Sequence, residues 1–126
     1  MPLSWTIDRD HRTVEIVAEG DVTLADAMAF FAAVEEARAL PYKKLFNGAR
    51  ARAAMTADEL LAAASRIRQQ HGASAVGALA VVASREQAHL AARMLGAAAA
   101  ADRPMRIFDD LRRARRWLDD QTAAAP

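Results

Sequence analysis

Cysteine is absent from this sequence. Its absence excludes disulfide bonds, thiol catalysis and thiolate metal sites, and it agrees with a cytoplasmic protein. A strong charge of one sign is also lacking, because the formal net charge of +1 provides no general attraction for nucleic acid. The longest apolar run, Val76 to Ala83, is far too short to cross a membrane. The first residues show no basic segment followed by an apolar one, so we expect no signal peptide and a cytoplasmic location.

The composition that remains is that of a small globular protein. The 126 residues are 53% hydrophobic and 26% charged, which is typical of an ordered chain with a buried core. No linker and no internal repeat divides the sequence. Because this length fits one domain, we interpret residues 1–126 as a single domain.

The order of the predicted elements indicates an α/β fold. Two runs of alternating polar and apolar residues, Ser4–Ile7 and Thr13–Gly20, flank a short charged link and predict a β-hairpin. Helices and strands then alternate, with strands predicted at Lys43–Ala49, Val76–Ala83 and Met105–Phe108. Because this alternation favours parallel pairing, we expect a mixed, mostly parallel sheet of about five strands with four helices.

Polar residues predict where the helices begin. Thr56 is followed three residues later by Glu59, which is the pattern of a capping box at the second helix. Thr23 and Ser84 precede the first and third helices in the same way. Asp109 is expected to cap the last helix, since an aspartate before a helical stripe is a preferred N-cap.

The stretch Lys43–Met55 is the best candidate for a functional site. It reads as a central strand up to Ala49 that opens into a loop, and ligands or partners usually bind at the carboxyl ends of such strands. In this reading Asn47, Arg50 and Arg52 form a polar, cationic mouth for an anionic ligand or an acidic partner surface. An ordinary solvated loop is the alternative, because Asn-Gly is itself a turn signal.

One hydroxyl group and several apolar residues complete the candidate site. Thr56 is a phosphoacceptor, a partner-contact residue or simply the N-cap of the second helix. Phe31 and Met55, together with Met28, Phe30 and the small side chains of Ala97 to Ala101, could line a groove between helices for a small apolar or lipid-like ligand. The alternative is that these residues are ordinary core. An alanine-rich third helix, and a Phe30 exposed beside Phe31, would instead favour a homodimer.

Several short segments resemble a known family. They are the end of the hairpin at Glu19–Thr23, the strand Lys44–Asn47, the approach to Met55-Thr56, and the ending Arg106–Leu118, where a strand and an acidic cap precede a helix. In these features the chain resembles the STAS fold (sulfate transporter and anti-sigma factor antagonist), and within it the SpoIIAA-like branch of small bacterial proteins. The resemblance implies a non-enzymatic regulatory or protein-interaction module.

The regulatory serine of that family has no clear counterpart in this sequence. In the anti-sigma factor antagonists, a serine at the start of the second helix is phosphorylated. In the matching residues, 55–58, only Thr56 carries a hydroxyl group, and Asp58 and Glu59 would repel an incoming phosphate. Asn47 stands near the place where the family often has an aspartate. We therefore expect a module without the usual phosphoserine motif.

Motifs for other chemistry are not found in the sequence. The three histidines are far apart, and there is no glycine-rich nucleotide motif and no nucleophile elbow, so we predict no metal site and no cofactor. The acidic pairs, such as Asp109-Asp110, stand at helix starts, where the helix dipole favours them anyway. The arginines of the last helix are expected to form i,i+4 pairs, for example Arg115 with Asp119. We predict neither enzymatic activity nor nucleic-acid binding.

Two hypotheses about function follow. The first is a protein-interaction module whose face is the Asn47–Thr56 segment and the start of the second helix, with another protein or a second copy of the chain as partner. The second is a carrier or sensor of a small apolar or lipid-like ligand, held near Phe31 and Met55.

Overall fold

Five strands and four helices make up the part of the chain that the structure describes. This computed structural model describes residues 2–73, 76–89 and 104–121. The strands are β1 (Leu3–Asp8), β2 (Thr13–Val22), β3 (Lys43–Ala53), β4 (Leu79–Ala83) and β5 (Met105–Phe108). The helices are α1 (Leu24–Glu36), α2 (Ala57–Ala73), α3, which begins at residue 85 and is described to residue 89, and α4 (Leu111–Asp119).

The strands form a sheet in the order β1-β2-β3-β4-β5. β1 and β2 form the predicted antiparallel hairpin, and β2 to β5 are parallel neighbours. This confirms the prediction of an α/β fold with a mixed, mostly parallel sheet. Because the four parallel strands point the same way, their last residues (Val22, Ala53, Ala83 and Phe108) lie towards one end of the sheet, which we call the carboxyl edge.

One face of the sheet carries the larger core. The alternation in β2 turns Val14, Ile16 and Ala18 to this face, where they pack with Phe30 and Val34 of α1. Burying a large aliphatic side chain stabilises a fold by roughly 1.5–3 kcal/mol. β2 is therefore firmly anchored where it leads towards the carboxyl edge.

Phe30 is buried, which corrects the expectation that it would be exposed beside Phe31. Only 8% of its surface is accessible. Its ring packs edge-on against Trp5 of β1, with ring centroids 5.4 Å apart. Phe31 is half-buried, and its ring centroid lies 5.9 Å from that of Phe30. Phe30 is therefore part of the core and does not supply the exposed surface expected for a homodimer. The alanine-rich stretch 97–101, on which that expectation also rested, lies outside the described residues.

α4 covers the opposite face of the sheet over β3, β4 and β5. Ala114 and Leu118 of α4 are buried in a second apolar cluster with residues of β3 and β4 such as Leu45 and Val82. Phe108 of β5 packs against this cluster. The two faces thus hold separate clusters, and β3 and β4 are buried between them.

The start of α4 differs by one residue from the prediction. Asp110, and not Asp109, is the N-cap: its carboxylate accepts hydrogen bonds from the backbone N–H of Arg112 at 2.7 Å and of Arg113 at 3.3 Å. Both aspartates stand before the helical stripe, so the sequence pattern alone did not separate them. Asp109 is left free to pair with Arg113 at 3.7 Å, as the i,i+4 spacing predicts.

Arg115 corrects a second prediction about α4. Its guanidinium group contacts the carboxylate of Glu15 on β2 rather than that of Asp119. Arg115 prefers Glu15 because of the tertiary structure: α4 lies across the sheet, so that this side chain reaches β2. This ion pair connects α4 to β2 of the hairpin.

A bidentate ion pair joins α1 to α2. Arg66 donates to the carboxylate of Glu35 through Nε at 3.1 Å and Nη2 at 2.7 Å. The side-chain amide of Gln70 donates to the same carboxylate at 3.1 Å and to the carbonyl oxygen of Phe31 at 3.3 Å. The hydrogen bonds from Arg66, and then those from Gln70, hold the pKa of Glu35 below its usual value.

We expect this ion pair to make stability depend on pH. Because the pKa of Glu35 is lower in the folded chain than in the unfolded chain, its contribution is present above the unfolded pKa of about 4.3 and is lost as pH falls through the folded pKa. Between about pH 6 and pH 3, Glu35→Gln should therefore lose less stability than the wild type, as measured by urea unfolding. The exposed neighbour Glu36 provides the control, and Glu36→Gln should follow the wild type. Identical pH profiles for all three proteins would contradict this assignment.

Candidate functional site

β3 continues to Ala53, which corrects the prediction of a loop beyond Ala49. The Asn47-Gly48 pair, a turn signal in the sequence, marks a β-bulge. Ala18 of β2 lies opposite two residues of β3, Gly48 and Ala49, where the register between the strands shifts. The side-chain oxygen of Asn47 accepts a hydrogen bond from the backbone N–H of Ala49 at 3.4 Å, which supports the bulge. The chain therefore bends here and continues as a strand.

Beyond the bulge, the two strands run on together as Glu19–Val22 and Arg50–Ala53, which we call the β2–β3 ribbon. The pairing of β3 with β4 ends at Gly48 and Ala83. The pairing of β1 with β2 ends at Leu3 and Ala18, and one further hydrogen bond runs from the backbone N–H of Glu19 to the carbonyl oxygen of Pro2 at 2.8 Å. Among the described residues, the ribbon thus projects past both neighbouring strands at the carboxyl edge.

The two arginines of the candidate site lie on this ribbon opposite acidic residues. Arg50 is in register with Glu19, and Arg52 is in register with Asp21. Nη2 of Arg52 lies 3.1 Å from the carboxylate of Asp21, and both side chains are largely exposed. Such exposed pairs contribute only about 0–1 kcal/mol to stability. The ribbon therefore presents accessible charges of both signs to solvent.

Thr56 caps α2, as the sequence predicts. Its hydroxyl oxygen accepts a hydrogen bond from the backbone N–H of Glu59 at 3.2 Å, and the Glu59 carboxylate accepts one from the backbone N–H of Thr56 at 2.9 Å. One turn into the helix, Leu61 is 60% exposed. The start of α2 thus combines a reciprocal polar cap with an exposed apolar side chain.

Phe31 and Met55, the predicted apolar wall, both pack against the larger core. Each is half-buried. Met55 follows the end of the ribbon, and Phe31 lies on α1, where its carbonyl oxygen accepts the hydrogen bond from Gln70. The structure therefore places the candidate residues in two groups, with Arg50, Arg52 and Thr56 exposed and with the two apolar residues against the core.

A cleft, which we call the carboxyl-edge cleft, opens where β4 and β5 end. Its volume is about 360 Å³. It is lined by Ala83, Arg85, Ala88, Arg106, Ile107, Phe108, Asp109 and Arg113. This site was not among the predicted ones, although basic residues beside two apolar runs were a usable signal in the sequence. The site depends on the pairing of β4 with β5, which local sequence patterns do not show.

Residues 2–73, 76–89 and 104–121 contain no group of three or more histidine, aspartate or glutamate side chains that could hold a metal ion. Within the same ranges, every helix is too short or too polar to pass through a lipid bilayer.

Comparisons with known proteins agree with this architecture. The model of the SpoIIAA-like family matches residues 13–119. A similar solved structure is an uncharacterized protein of the DUF3478 family with a SpoIIAA-like fold from Shewanella loihica PV-4, with 18% identity and a TM-score of 0.66. The match covers 92% of this chain and 93% of that chain. No curated protein matches the sequence significantly.

Proposed function

The chain belongs to the SpoIIAA-like family, and we propose that it is a non-enzymatic regulatory or protein-interaction module without the usual phosphoserine motif. Domains of this family are generally non-enzymatic and commonly bind proteins. The proposed binding face is the β2–β3 ribbon with the first turns of α2. It includes Arg50, Arg52 and Thr56, with Asn47 and Met55 at its borders.

The projection of the β2–β3 ribbon is the observation that carries this proposal. On the side of β4, the described residues provide no strand to pair with Arg50–Ala53. An open strand edge offers backbone N–H and C=O groups that an extended segment of a partner can pair with. Charged side chains on such an edge oppose indiscriminate pairing, so they favour a partner with matching charges.

The start of α2 extends this face. Leu61 is among the few large hydrophobic side chains exposed in the described part of the chain. An apolar side chain beside charged residues is typical of the mixed surfaces on which proteins bind one another. Ala57 and Asp58, one turn earlier, are also exposed. The ribbon supplies directional polar contacts, and α2 supplies an apolar one.

The role proposed for Thr56 is structural. Its hydroxyl oxygen already accepts the hydrogen bond of the capping box. A phosphate attached to it would stand close to the carboxylates of Asp58 and Glu59, which disfavours the modification. We therefore propose that phosphorylation of Thr56 does not regulate partner binding.

The packing of Phe31 and Met55 bears on the alternative of an apolar-ligand carrier or sensor. Both side chains contact the larger core. A groove lined by them would need to displace core contacts, which supports the interaction module over the carrier.

A charge-reversal experiment tests the proposed face. Arg50→Glu combined with Arg52→Glu would place four acidic side chains on the ribbon, since Glu19 and Asp21 face these positions. We expect the immobilised variant to capture at least about tenfold less of a partner from a lysate of the source cells, because like charges across an interface cost several kcal/mol. Capture is quantified by mass spectrometry.

The matched control lies on α4, which covers the other face of the sheet. Arg112→Glu combined with Arg116→Glu makes the same change of net charge on the exposed surface of α4. This control should capture the partner at the wild-type level. Equal losses in both variants, or undiminished capture by the ribbon variant, would place the interface elsewhere.

A further inference from the structure

The carboxyl-edge cleft has the position and size of a small-molecule site. β4 and β5 are parallel, with Val82 and Phe108 in register, so the two strands end side by side. Ligands of open parallel sheets bind beyond the carboxyl ends of the strands. The volume of about 360 Å³ falls in the range of small-molecule pockets, roughly 300–1,000 Å³.

The charges that line the cleft are unbalanced. Three arginines (Arg85, Arg106 and Arg113) and one acidic residue (Asp109) line it. Asp109 pairs with Arg113 at 3.7 Å, and both side chains are more than half exposed, so this ion pair is weak. Neither Arg85 nor Arg106 forms an ion pair with a carboxylate of the described residues. Two positive charges are thus left without a described counter-charge.

Arg106 is also held in place. Its guanidinium carbon lies 5.2 Å from the centre of the Phe108 ring, in the geometry of a cation–π contact. Because this contact already restricts the side chain, less conformational entropy is lost when the group binds a ligand. The remaining lining is small or apolar and includes Ala83, Ala88 and Ile107. The cleft therefore offers space for a ligand and an apolar surface beside the arginines.

We infer that the carboxyl-edge cleft binds a small organic phosphomonoester. A phosphate dianion carries the two negative charges that would balance Arg85 and Arg106. Guanidinium groups bind phosphate oxygens through paired, charge-assisted hydrogen bonds. The organic part of the ligand lies against Ala88 and Ile107. A monocarboxylate fits less well, because it would leave one guanidinium group uncompensated.

Phenyl phosphate is a suitable probe for a titration followed by NMR of the full chain. We expect saturable binding with a Kd of about 1 mM or tighter. The amide signals of Arg85, Arg106 and Asp109 should shift, while those of Arg52 and Leu61 should not. Inorganic phosphate tests the charged group alone, and benzoate tests a single charge; both should bind more weakly than phenyl phosphate. Absence of saturation, or shifts centred on other residues, would overturn the inference.

Paired variants distinguish a built site from general attraction of anions. Arg85→Gln combined with Arg106→Gln should weaken phenyl phosphate binding at least about tenfold. Arg112→Gln combined with Arg116→Gln removes the same charge from the exposed surface of α4 and should stay within about twofold of the wild type. Equal weakening by both pairs would overturn the inference. This site does not depend on the β2–β3 ribbon, so failure of either proposal leaves the other intact.

Discussion

Gly77→Ala is expected to lower the free energy of unfolding by about 3 kcal/mol, the upper end of the usual cost of overpacking. A Cβ atom at this position would lie 2.2 Å from the carbonyl oxygen of Tyr42 and 2.5 Å from that of Pro41. Both neighbours are backbone atoms, so no side-chain rotation relieves the clash. The backbone N–H of Gly77 also donates to the carbonyl oxygen of Leu40 at 2.9 Å, which holds the two segments together.

Urea unfolding measures this effect. Gly20 provides the control, because its φ of 70° is left-handed but a Cβ atom there would meet nothing within 4 Å. Asparagine tolerates this conformation better than other side chains, so Gly20→Asn should cost no more than about 1 kcal/mol. If Gly77→Ala were as stable as the wild type, the close contact of Gly77 with the backbone of Pro41 and Tyr42 would be wrong.

Lys44→Met is expected to cost about 1–3 kcal/mol, the usual penalty for leaving a buried polar group without its partner. Lys44 is only 6% exposed. Its Nζ donates to the carbonyl oxygens of Leu40 at 2.7 Å and Tyr42 at 2.9 Å. Methionine has a similar length but no donor, so the substitution removes these hydrogen bonds while it keeps most of the packing.

Lys43→Met is the matched control for this substitution. Lys43 is the preceding residue of β3 and is only half-buried, so its replacement should change stability by no more than about 0.5 kcal/mol. Equal urea-unfolding midpoints for the two variants would show that the ammonium group of Lys44 does not stabilise the loop that contains Leu40 and Tyr42.

The general fold could be predicted from the sequence because its signals are local. Two runs of alternating polar and apolar residues predicted the hairpin. The alternation of strands and helices predicted the parallel sheet. Capping boxes at Thr23 and Thr56 located two helix starts, and both boxes are present in the structure. Each of these features depends on residues within a few positions of one another.

The end of β3 could not be predicted in this way. Asn47-Gly48 is a turn signal, and the polar residues after it suggested a loop. In the structure Gly48 is buried, and a Cβ atom there would approach the ring of Phe46 to 2.8 Å. The glycine therefore fits the bulge of a continuing strand. Only the pairing of Arg50–Ala53 with β2 shows this, and β2 is distant in sequence.

Tertiary contacts explain the other differences. Phe30 is buried because Trp5 of β1 lies against it. Arg115 pairs with Glu15 because α4 crosses the sheet, and the carboxyl-edge cleft exists because β4 and β5 are neighbours. None of these partners is within helical or strand spacing in the sequence. They require the topology, which local patterns do not specify.

Site-specific photocrosslinking in the source cells is the most direct test of the central claim that the β2–β3 ribbon and the start of α2 bind a partner protein. A photoreactive amino acid replaces Arg50 or Leu61, and in two controls it replaces the exposed residues Ala29 or Arg112. We predict that both face positions give a covalent adduct with the same partner, and that the controls give none. Adducts from the control positions alone, or from no position, would contradict the claim.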